Sequence, residues 1–265
     1  MDFETVTKTA NNIENGASPL KASLDENGRS GALSSAGRER PSEKYAEVVH
    51  RHFPFYSSDQ ALERVEAFYQ NIRNRRSIRN FDSRKIPRPI LEHALSAAGC
   101  APSGANKQPW HYVVVENPDL KKEIRIETER IEHGFYHKRA GKKWLEDLEP
   151  FGTDENKAHI ETCSHVIAVF SKSKEFDAAA QSYEPTYYPL ESTCLSVGFL
   201  IAALHEAGVG TLTHTPKPMT YLNELLNVPR YYKGMFLLSV GYPAVPVKVP
   251  NITKKELGDF VTFHD

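Results

Sequence analysis

The stretch Asn74-Arg75-Arg76-Ser77-Ile78-Arg79 places three guanidinium groups and one hydroxyl group close together in the chain. A guanidinium is a planar fork of donors that binds phosphate oxygens in pairs, and a serine hydroxyl adds a shorter donor. The stretch is therefore suited to a phosphate monoester. A short basic run is also typical of a solvated helix end, and for this stretch taken alone that alternative stays open.

A predicted helix leads the chain into this stretch, because Leu62, Val65, Phe68, Tyr69 and Ile72 recur at helical spacing. Residues 1–43, in contrast, are rich in small, polar and charged residues and have few apolar side chains. Such a composition buries too little surface to offset the chain entropy that is lost on folding. We predict a disordered polar tail over residues 1–43 and a single folded domain over residues 44–265.

Beyond the arginine-rich stretch, predicted helices and strands alternate, which favours an α+β (α/β-like) fold. The segment Trp110–Val115 is predicted to be a strand that is apolar on both faces, which is typical of a central strand in a sheet. A second buried strand is predicted at His165–Phe170 and a third strand at Met235–Val240. The predicted helices comprise Ile90–Ala98, a long polar helix from Pro118 through Phe135, Leu190–Leu204 and Tyr221–Leu226. The segment from Arg139 to Asn156 has no clean period, so we expect it to lie outside the core.

Composition limits the classes of partner and the compartment. The 265 residues include 33 basic and 34 acidic side chains, and a net charge of -1 predicts neither a nucleic-acid surface nor a membrane surface. Cys100, Cys163 and Cys194 are far apart in sequence, which favours a reducing compartment with buried thiols and argues against a disulfide framework or a zinc site built on cysteines. The first residues have neither a basic start nor an apolar run, so we predict no signal peptide and a cytoplasmic protein.

Three further motifs follow the arginine-rich stretch: Ala101-Pro102-Ser103-Gly104-Ala105-Asn106-Lys107-Gln108-Pro109-Trp110, Thr211-Leu212-Thr213-His214-Thr215-Pro216, and Val240-Gly241-Tyr242-Pro243. In this order, and over about residues 70–257, the four motifs resemble the flavin-dependent nitroreductase superfamily. The resemblance implies a mixed sheet flanked by helices. It also implies a domain-swapped homodimer with FMN bound at the interface.

Each part of FMN would then need its own kind of partner. Basic side chains would bind the phosphate, a loop with a glycine would approach the isoalloxazine edge, and a threonine hydroxyl would face N5. The cofactor-binding residues predicted in this way are Arg75, Arg76, Ser77, Arg79, Pro102, Ser103, Gly104, Thr213, Thr215 and Lys254. Taken alone, the threonine-rich motif also fits an ordinary strand end, and the loop also fits an ordinary turn.

The long polar helix and the segment after it carry a second group of candidates. Glu132 and Tyr136 are four residues apart, so one helical face would present a carboxylate beside an aromatic ring. Lys157 adds a cation further along. Together the three complement a zwitterionic aromatic amino acid, in which an ammonium and a carboxylate accompany a ring. Without further context they would also fit solvated helix positions.

The order Glu132-x3-Tyr136, Lys138-Arg139-x-Gly141-x2-Trp144-x2-Asp147-Leu148 and Lys157 resembles the lid of the iodotyrosine deiodinase branch of that superfamily. The resemblance implies a lid over about residues 119–160 in which Glu132, Tyr136 and Lys157 bind the zwitterion. It further implies that the backbone N–H of Ala105 binds the substrate phenolate and that Thr215 donates to flavin N5. Leu212 and His214 interrupt the threonine run of the vertebrate pattern, and Lys254 stands where an arginine binds phosphate, which keeps the charge but loses the fork.

The leading hypothesis is FMN-dependent reductive dehalogenation of halotyrosines, with electrons reaching the flavin indirectly from NADPH through a partner reductase or ferredoxin. A broad-specificity FMN nitroreductase or quinone reductase is the alternative, and it predicts activity that survives the loss of Lys157. A flavin- or amino-acid-binding protein without turnover is a third possibility. The halogen preference stays open.

Overall fold

The computed structural model describes residues 47–264. It divides into a unit that ends at Phe55 and a unit that begins at Tyr56, which are described separately. In the first unit, Glu47–Phe55 is exposed, and the ring of Phe53 contacts those of His50 and Phe55 edge-on. The predicted disordered tail over residues 1–43 lies outside the described residues, and the predicted domain boundaries stay predictions.

The second unit alternates helices and strands. In chain order its α-helices and strands are α1 (Ser58–Ile72), α2 (Arg88–Gly99), β1 (Trp110–Val115), α3 (Pro118–Gly134), α4 (Lys142–Leu148), α5 (Ala158–Thr162), β2 (His165–Lys172), β3 (Lys174–Asp177), β4 (Ser182–Pro185), α6 (Pro189–Glu206), β5 (Gly210–His214), α7 (Tyr221–Leu225) and β6 (Tyr232–Gly241). A π-helical turn, Phe135–Arg139, continues α3, and short 3-10 turns lie at Glu149–Phe151 and Leu257–Asp259.

A four-stranded sheet in the order β1-β2-β6-β5 forms the centre of this unit. Its three strand pairs are antiparallel, and a single parallel bridge between Ser77 and Thr211 attaches the arginine-rich stretch to β5. The three predicted strands are confirmed, and β2 is buried from His165 to Ser171. The predicted central position of Trp110–Val115 is wrong for the single chain, because β1 lies at the edge of the sheet and is half-buried over most of its length. The predicted α+β class is also confirmed.

Side-chain alternation along β2 produces a core on each face of the sheet. Val166, Ala168 and Phe170 belong to a cluster with residues of α3, α5 and α7. Ile167 and Val169 point the other way, into a cluster with residues of α2 and α6. Because successive residues of a strand face opposite sides, a strand that is apolar throughout requires helices on both faces.

Some local features differ from the predictions. The segment Arg139–Asn156 contains a short helix, α4, which its irregular pattern did not indicate. The β3–β4 hairpin was not predicted, because its short, largely exposed strands lack a clear apolar alternation. Within the predicted lid span, α3 packs into the core through Ile124 and Ile131, so the exposed part begins after it. Over residues 47–264, no helix combines the length and the apolar character that crossing a bilayer requires.

Candidate active site

A cavity of about 530 Å³ lies between the end of α3, the segment before α5 and the end of β5. It brings together six residues that were predicted from distant parts of the sequence: Arg79, Glu132, Tyr136, Lys157, Thr213 and Thr215. The apolar part of the cavity wall includes Phe135, Trp144 and Leu148. The cavity therefore combines charged groups with aromatic surface, as sites for small organic molecules commonly do.

Lys157 is a nearly buried cation in the wall of this cavity. Its Nζ lies 3.4 Å from Oε2 of Glu132 and 5.5 Å from the centre of the Tyr136 ring. The lysine side chain is only 6% exposed and that of Glu132 16% exposed, and Lys157 Nζ also donates to the carbonyl of Asp154. A charge so nearly removed from water needs such partners, because an unpaired buried charge costs several kcal/mol.

A network below the cavity fixes the position of Lys157. The backbone N–H of Lys157 donates to Oε1 of Glu129 over 2.7 Å, and the same carboxylate oxygen accepts from Nε of Arg125 over 2.8 Å. Arg125 also pairs with Glu161 of α5 at 3.0 Å. The segment that carries Lys157 is thus tied to the helix that carries Glu132.

The arginine-rich stretch runs beside β5. Its Ile78 N–H donates to the carbonyl of Thr211 over 3.0 Å. Gly210 permits this close approach, because a Cβ at that position would lie 2.8 Å from Cγ1 of Ile78. The contact holds Arg79 beside the strand whose end carries Thr213 and Thr215, and all three line the large cavity.

The other two predicted phosphate-binding arginines, Arg75 and Arg76, line a second cavity of about 240 Å³. Arg76 Nη2 donates to the carbonyl of Pro250. Within residues 47–264, the half-buried side chains of Arg75, Arg76 and Arg79 have no carboxylate partner. Three partly desolvated guanidiniums without a counter-ion fit a bound phosphate group, which would supply the missing negative charge.

The loop predicted to approach the flavin lies elsewhere in the single chain. Pro102, Ser103, Gly104 and Ala105 line neither cavity, and Ala105 is exposed with a φ of 49°. Gly104 packs against Tyr187, whose Cβ would be 2.8 Å from a Cβ at position 104. Lys254 is also exposed and lines neither cavity. The single chain therefore brings neither the loop of residues 102–105 nor Lys254 to either cavity.

Two histidines of the cavity wall were not predicted to act at the site. The rings of His159 and His214 stack with centres 4.8 Å apart, and Nε2 of His214 lies 3.3 Å from the Ser239 hydroxyl. Nε2 of His159 is buried without a hydrogen-bond partner in the described part of the chain. His159 follows Lys157 by two residues. Sequence spacing gave no indication of its role, because its ring partner, His214, is 55 positions further along the chain (214 − 159 = 55).

Both histidines are neutral at neutral pH. Burial, together with the positive charges of Lys157 and Arg79, lowers the pKa of His159 to about 4. Burial and the neighbouring ring of His159 hold the pKa of His214 well below its ordinary value. Burial also lowers the pKa of Arg79. The cavity therefore offers neutral imidazoles as hydrogen-bonding groups beside its cations.

Known proteins are similar to this chain in sequence and in fold. A family model described as the nitroreductase family matches residues 72–242. The iodotyrosine deiodinase of Haliscomenobacter hydrossis is 40% identical over 202 residues, which cover 76% of this chain and 90% of that protein. Human iodotyrosine deiodinase 1 is 35% identical over 209 residues, covering 78% and 71% of the two chains.

Solved structures agree with the sequence relatives. A crystal structure of oxidized iodotyrosine deiodinase bound to FMN and 3-iodo-L-tyrosine has a TM-score of 0.63 and 30% identity, covering 74% of this chain and all of the other. A nitroreductase with bound FMN from Bacteroides fragilis has a TM-score of 0.53 at 21% identity, covering 75% of this chain and 98% of the other, which supports the fold alone. The chain belongs to the nitroreductase family, and the predicted similarity to its iodotyrosine deiodinase branch is confirmed.

The low pKa of His159 yields a testable expectation. The folded protein should keep this ring neutral until the pH approaches about 4, whereas the unfolded chain takes up the proton below about 6.5. The contribution of His159 to the free energy of unfolding should therefore fall as the pH falls through this window. In NMR spectra of labelled imidazoles, the signal that disappears in His159→Gln should titrate near pH 4. A midpoint above pH 6 would contradict the burial argument.

Proposed function

We propose that this protein is an FMN-dependent enzyme that removes halogen from halotyrosines by reduction. The observation that carries the proposal is the group of Glu132, Tyr136 and Lys157 on one cavity wall. In the reaction, two electrons and one proton convert an aryl halide into the arene and a halide ion, so that 3-iodotyrosine yields tyrosine and iodide. Relatives that are 35–40% identical over most of this chain are named iodotyrosine deiodinases, which supports the proposal.

The ion pair between Lys157 and Glu132 suits the amino acid end of such a substrate. Within the chain the two charges pair at 3.4 Å. An ammonium group can take the place of Lys157 beside Glu132, while a carboxylate pairs with Lys157. A single intramolecular pair is then exchanged for two pairs with the ligand, so neither protein charge is left unpaired. Tyr136 offers its ring to the substrate arene.

Bound FMN would supply the redox chemistry, and the residues of this chain would hold and orient it. We assign the phosphate to Arg75, Arg76, Ser77 and Arg79, because these guanidiniums lack carboxylate partners within the described residues. Thr215 is assigned as the donor to N5 and Thr213 as its neighbour at the flavin, since both line the large cavity. The assignments of Pro102, Ser103, Gly104, Ala105 and Lys254 stay predictions.

A second copy of the chain can supply the loop of residues 102–105, which lines neither cavity in its own chain. Ala105 is exposed and distant in sequence from the cavity residues, so we propose that the loop of one protomer reaches the cavity of its partner. Exposed apolar side chains support such a homodimer: they include Leu62, Val65, Phe68 and Tyr69 of α1 and Leu195 and Phe199 of α6. Apolar surface of this extent favours burial against another protein surface.

The electron supply and the compartment are further parts of the proposal. NADPH acting through a partner reductase or ferredoxin stays a prediction from the family resemblance. A cytoplasmic location stays a prediction. Cys100, Cys163 and Cys194 are free thiols, which fits the reducing compartment predicted from the cysteine pattern. The physiological halogen is left open between iodide, bromide and chloride.

The proposed function can be tested in a single anaerobic experiment. The FMN-loaded protein is reduced with dithionite, freed from excess reductant, and mixed with 3-iodotyrosine while the flavin spectrum and free iodide are followed. We expect reoxidation of the flavin with release of one iodide and one tyrosine for each flavin. Flavin that stays reduced with 3-iodotyrosine but is reoxidised by a nitroarene would establish the general reductase instead.

Lys157→Ala should separate recognition of the zwitterion from recognition of the ring. We expect 3-iodotyrosine to bind at least about 30-fold more weakly, since truncating one member of a buried charge pair costs about 2–5 kcal/mol. Binding of 2-iodophenol, which lacks the amino acid group, should change by less than about threefold on this argument. Quenching of flavin fluorescence measures both constants.

Lys142→Ala is the matched control, because it removes an exposed lysine of α4 that does not line the cavity. It should leave both dissociation constants as they are in the wild type. Equal losses for 3-iodotyrosine and 2-iodophenol in Lys157→Ala would count against the zwitterion role.

Arg75→Ala tests the phosphate site by comparing FMN with riboflavin, which has no phosphate. FMN binding should weaken by about tenfold or more, because a hydrogen bond to a charged group contributes about 1.5–3 kcal/mol. Riboflavin binding should be unaffected. Arg73→Ala is the control, since the exposed Arg73 side chain donates to Gln70, lies over the Tyr69 ring and lines neither cavity. Equal weakening of FMN and riboflavin by Arg75→Ala would refute the assignment.

The homodimer predicts a mass in solution of about twice the chain mass of 29.9 kDa. Phe68→Glu places a charge on the exposed apolar face of α1 and should shift sedimentation toward the monomer. It should also weaken FMN binding if the partner's loop completes the site. Gln70→Glu, on another side of α1, adds the same charge and should leave the dimer intact. A wild-type monomer that binds FMN fully would exclude a shared site.

A further inference from the structure

A cluster of two histidines and one glutamate lies on the solvent-exposed side of the predicted lid. Nδ1 of His133 and Nε2 of His137 each lie 2.9 Å from the same carboxylate oxygen, Oε2 of Glu155. The candidate ligand atoms of the three residues all lie within 4.8 Å of one another. The centres of the two imidazole rings are 4.3 Å apart, and one nitrogen of each ring faces the Glu155 carboxylate.

Local structure explains how the chain builds this cluster. His133 and His137 are four residues apart, across the point where α3 passes into the π-helical turn, and that spacing places both on one side of the helix. Glu155 lies on the segment that leads to α5. The π-helical turn widens the helix at this point, a feature that is frequent at functional sites.

We propose that His133, His137 and Glu155 bind a Zn²⁺ ion, which clamps the π-helical turn to the segment before α5. Two imidazoles and one carboxylate are a donor set that zinc accepts, with water as the fourth ligand. Nitrogen donors favour zinc over magnesium or calcium. Tetrahedral bonds of about 2.0–2.2 Å place neighbouring ligand atoms about 3.3–3.5 Å apart. On zinc binding, the two 2.9 Å contacts would open by a few tenths of an ångström, and the two ring nitrogens, which lie within 4.8 Å of each other, would adopt the same spacing.

The outer cluster and the inner ion pair join the same two segments. On the cavity side, Lys157 pairs with Glu132; on the solvent side, Glu155 meets His133 and His137. The inner pair is 6% and 16% exposed, whereas the side chains of the outer group are 60%, 56% and 35% exposed for His133, His137 and Glu155. A metal ion can thus reach the outer group from solvent without passing the cavity.

Because the two histidines are next to Glu132 and Tyr136 in sequence, a bound ion would restrain both substrate-binding side chains. We expect it to slow opening of the segment 135–157. An effect on halotyrosine binding would follow and rests on the proposed function. The zinc and exchange measurements below use no halotyrosine, so the failure of one proposal can be told from the failure of the other.

Zinc binding is measured on the untagged, FMN-loaded full chain after removal of metals, by competition with a chromophoric chelator. We expect one Zn²⁺ per chain. Loss of an outer-shell partner alone typically weakens metal binding by about 10–100-fold, so His137→Ala should weaken it by about 100-fold or more. Glu155→Gln, which keeps the shape of the side chain, should also weaken binding. His93→Ala removes an exposed histidine of α2 and should have no effect.

All of these variants keep the exposed thiols of Cys100 and Cys194, so a cysteine-bound ion would persist in every one of them. Hydrogen exchange of residues 135–157 should slow when Zn²⁺ is added to the wild type and stay unchanged in His137→Ala. Absence of a stoichiometric site, or equal affinity in His137→Ala and the wild type, would show only a hydrogen-bonded cluster. Zinc binding without slower exchange would overturn the clamp.

Discussion

The charge of Lys157 is the constraint on which the candidate site depends. Its side chain is nearly removed from water, so the fold must supply a negative partner, and Glu132 of α3 is that partner. The pair can form only if the segment before α5 lies against the end of α3. This placement is held by a chain of contacts among Arg125, Glu129 and Glu161. It links the backbone of Lys157 to both α3 and α5. One side of the cavity is therefore fixed by ionic contacts.

The other side is fixed by the sheet. Bridging of Ser77 to Thr211 places the arginine-rich stretch along β5, and the small size of Gly210 allows the close contact. Arg75 and Arg76 then face one cavity and Arg79 the other, although only four positions separate the first from the last. A single short segment thus contributes guanidinium groups to both cavities.

Much of this arrangement could be predicted because it depends on local patterns. Strand β2 is apolar at every position from Val166 to Phe170, and such a strand needs cover on both faces. Glu132 and Tyr136 were found from helical spacing. The contact of His159 with His214 could not be found in this way, since it joins a short helix to a strand end and follows no period. The β3–β4 hairpin was missed because its mostly exposed residues lack alternation.

Residues 102–105 show a different limit of sequence-based prediction. Their motif matches the family pattern, yet in the single chain the loop lines neither cavity, and Gly104 packs against Tyr187. A motif that acts across a subunit interface has no partner within its own chain, so intramolecular geometry cannot test it. The exposed apolar residues of α1 and α6 point to the same explanation. Burial of those side chains and completion of the flavin site would then be one event, which would couple cofactor affinity to assembly by mass action.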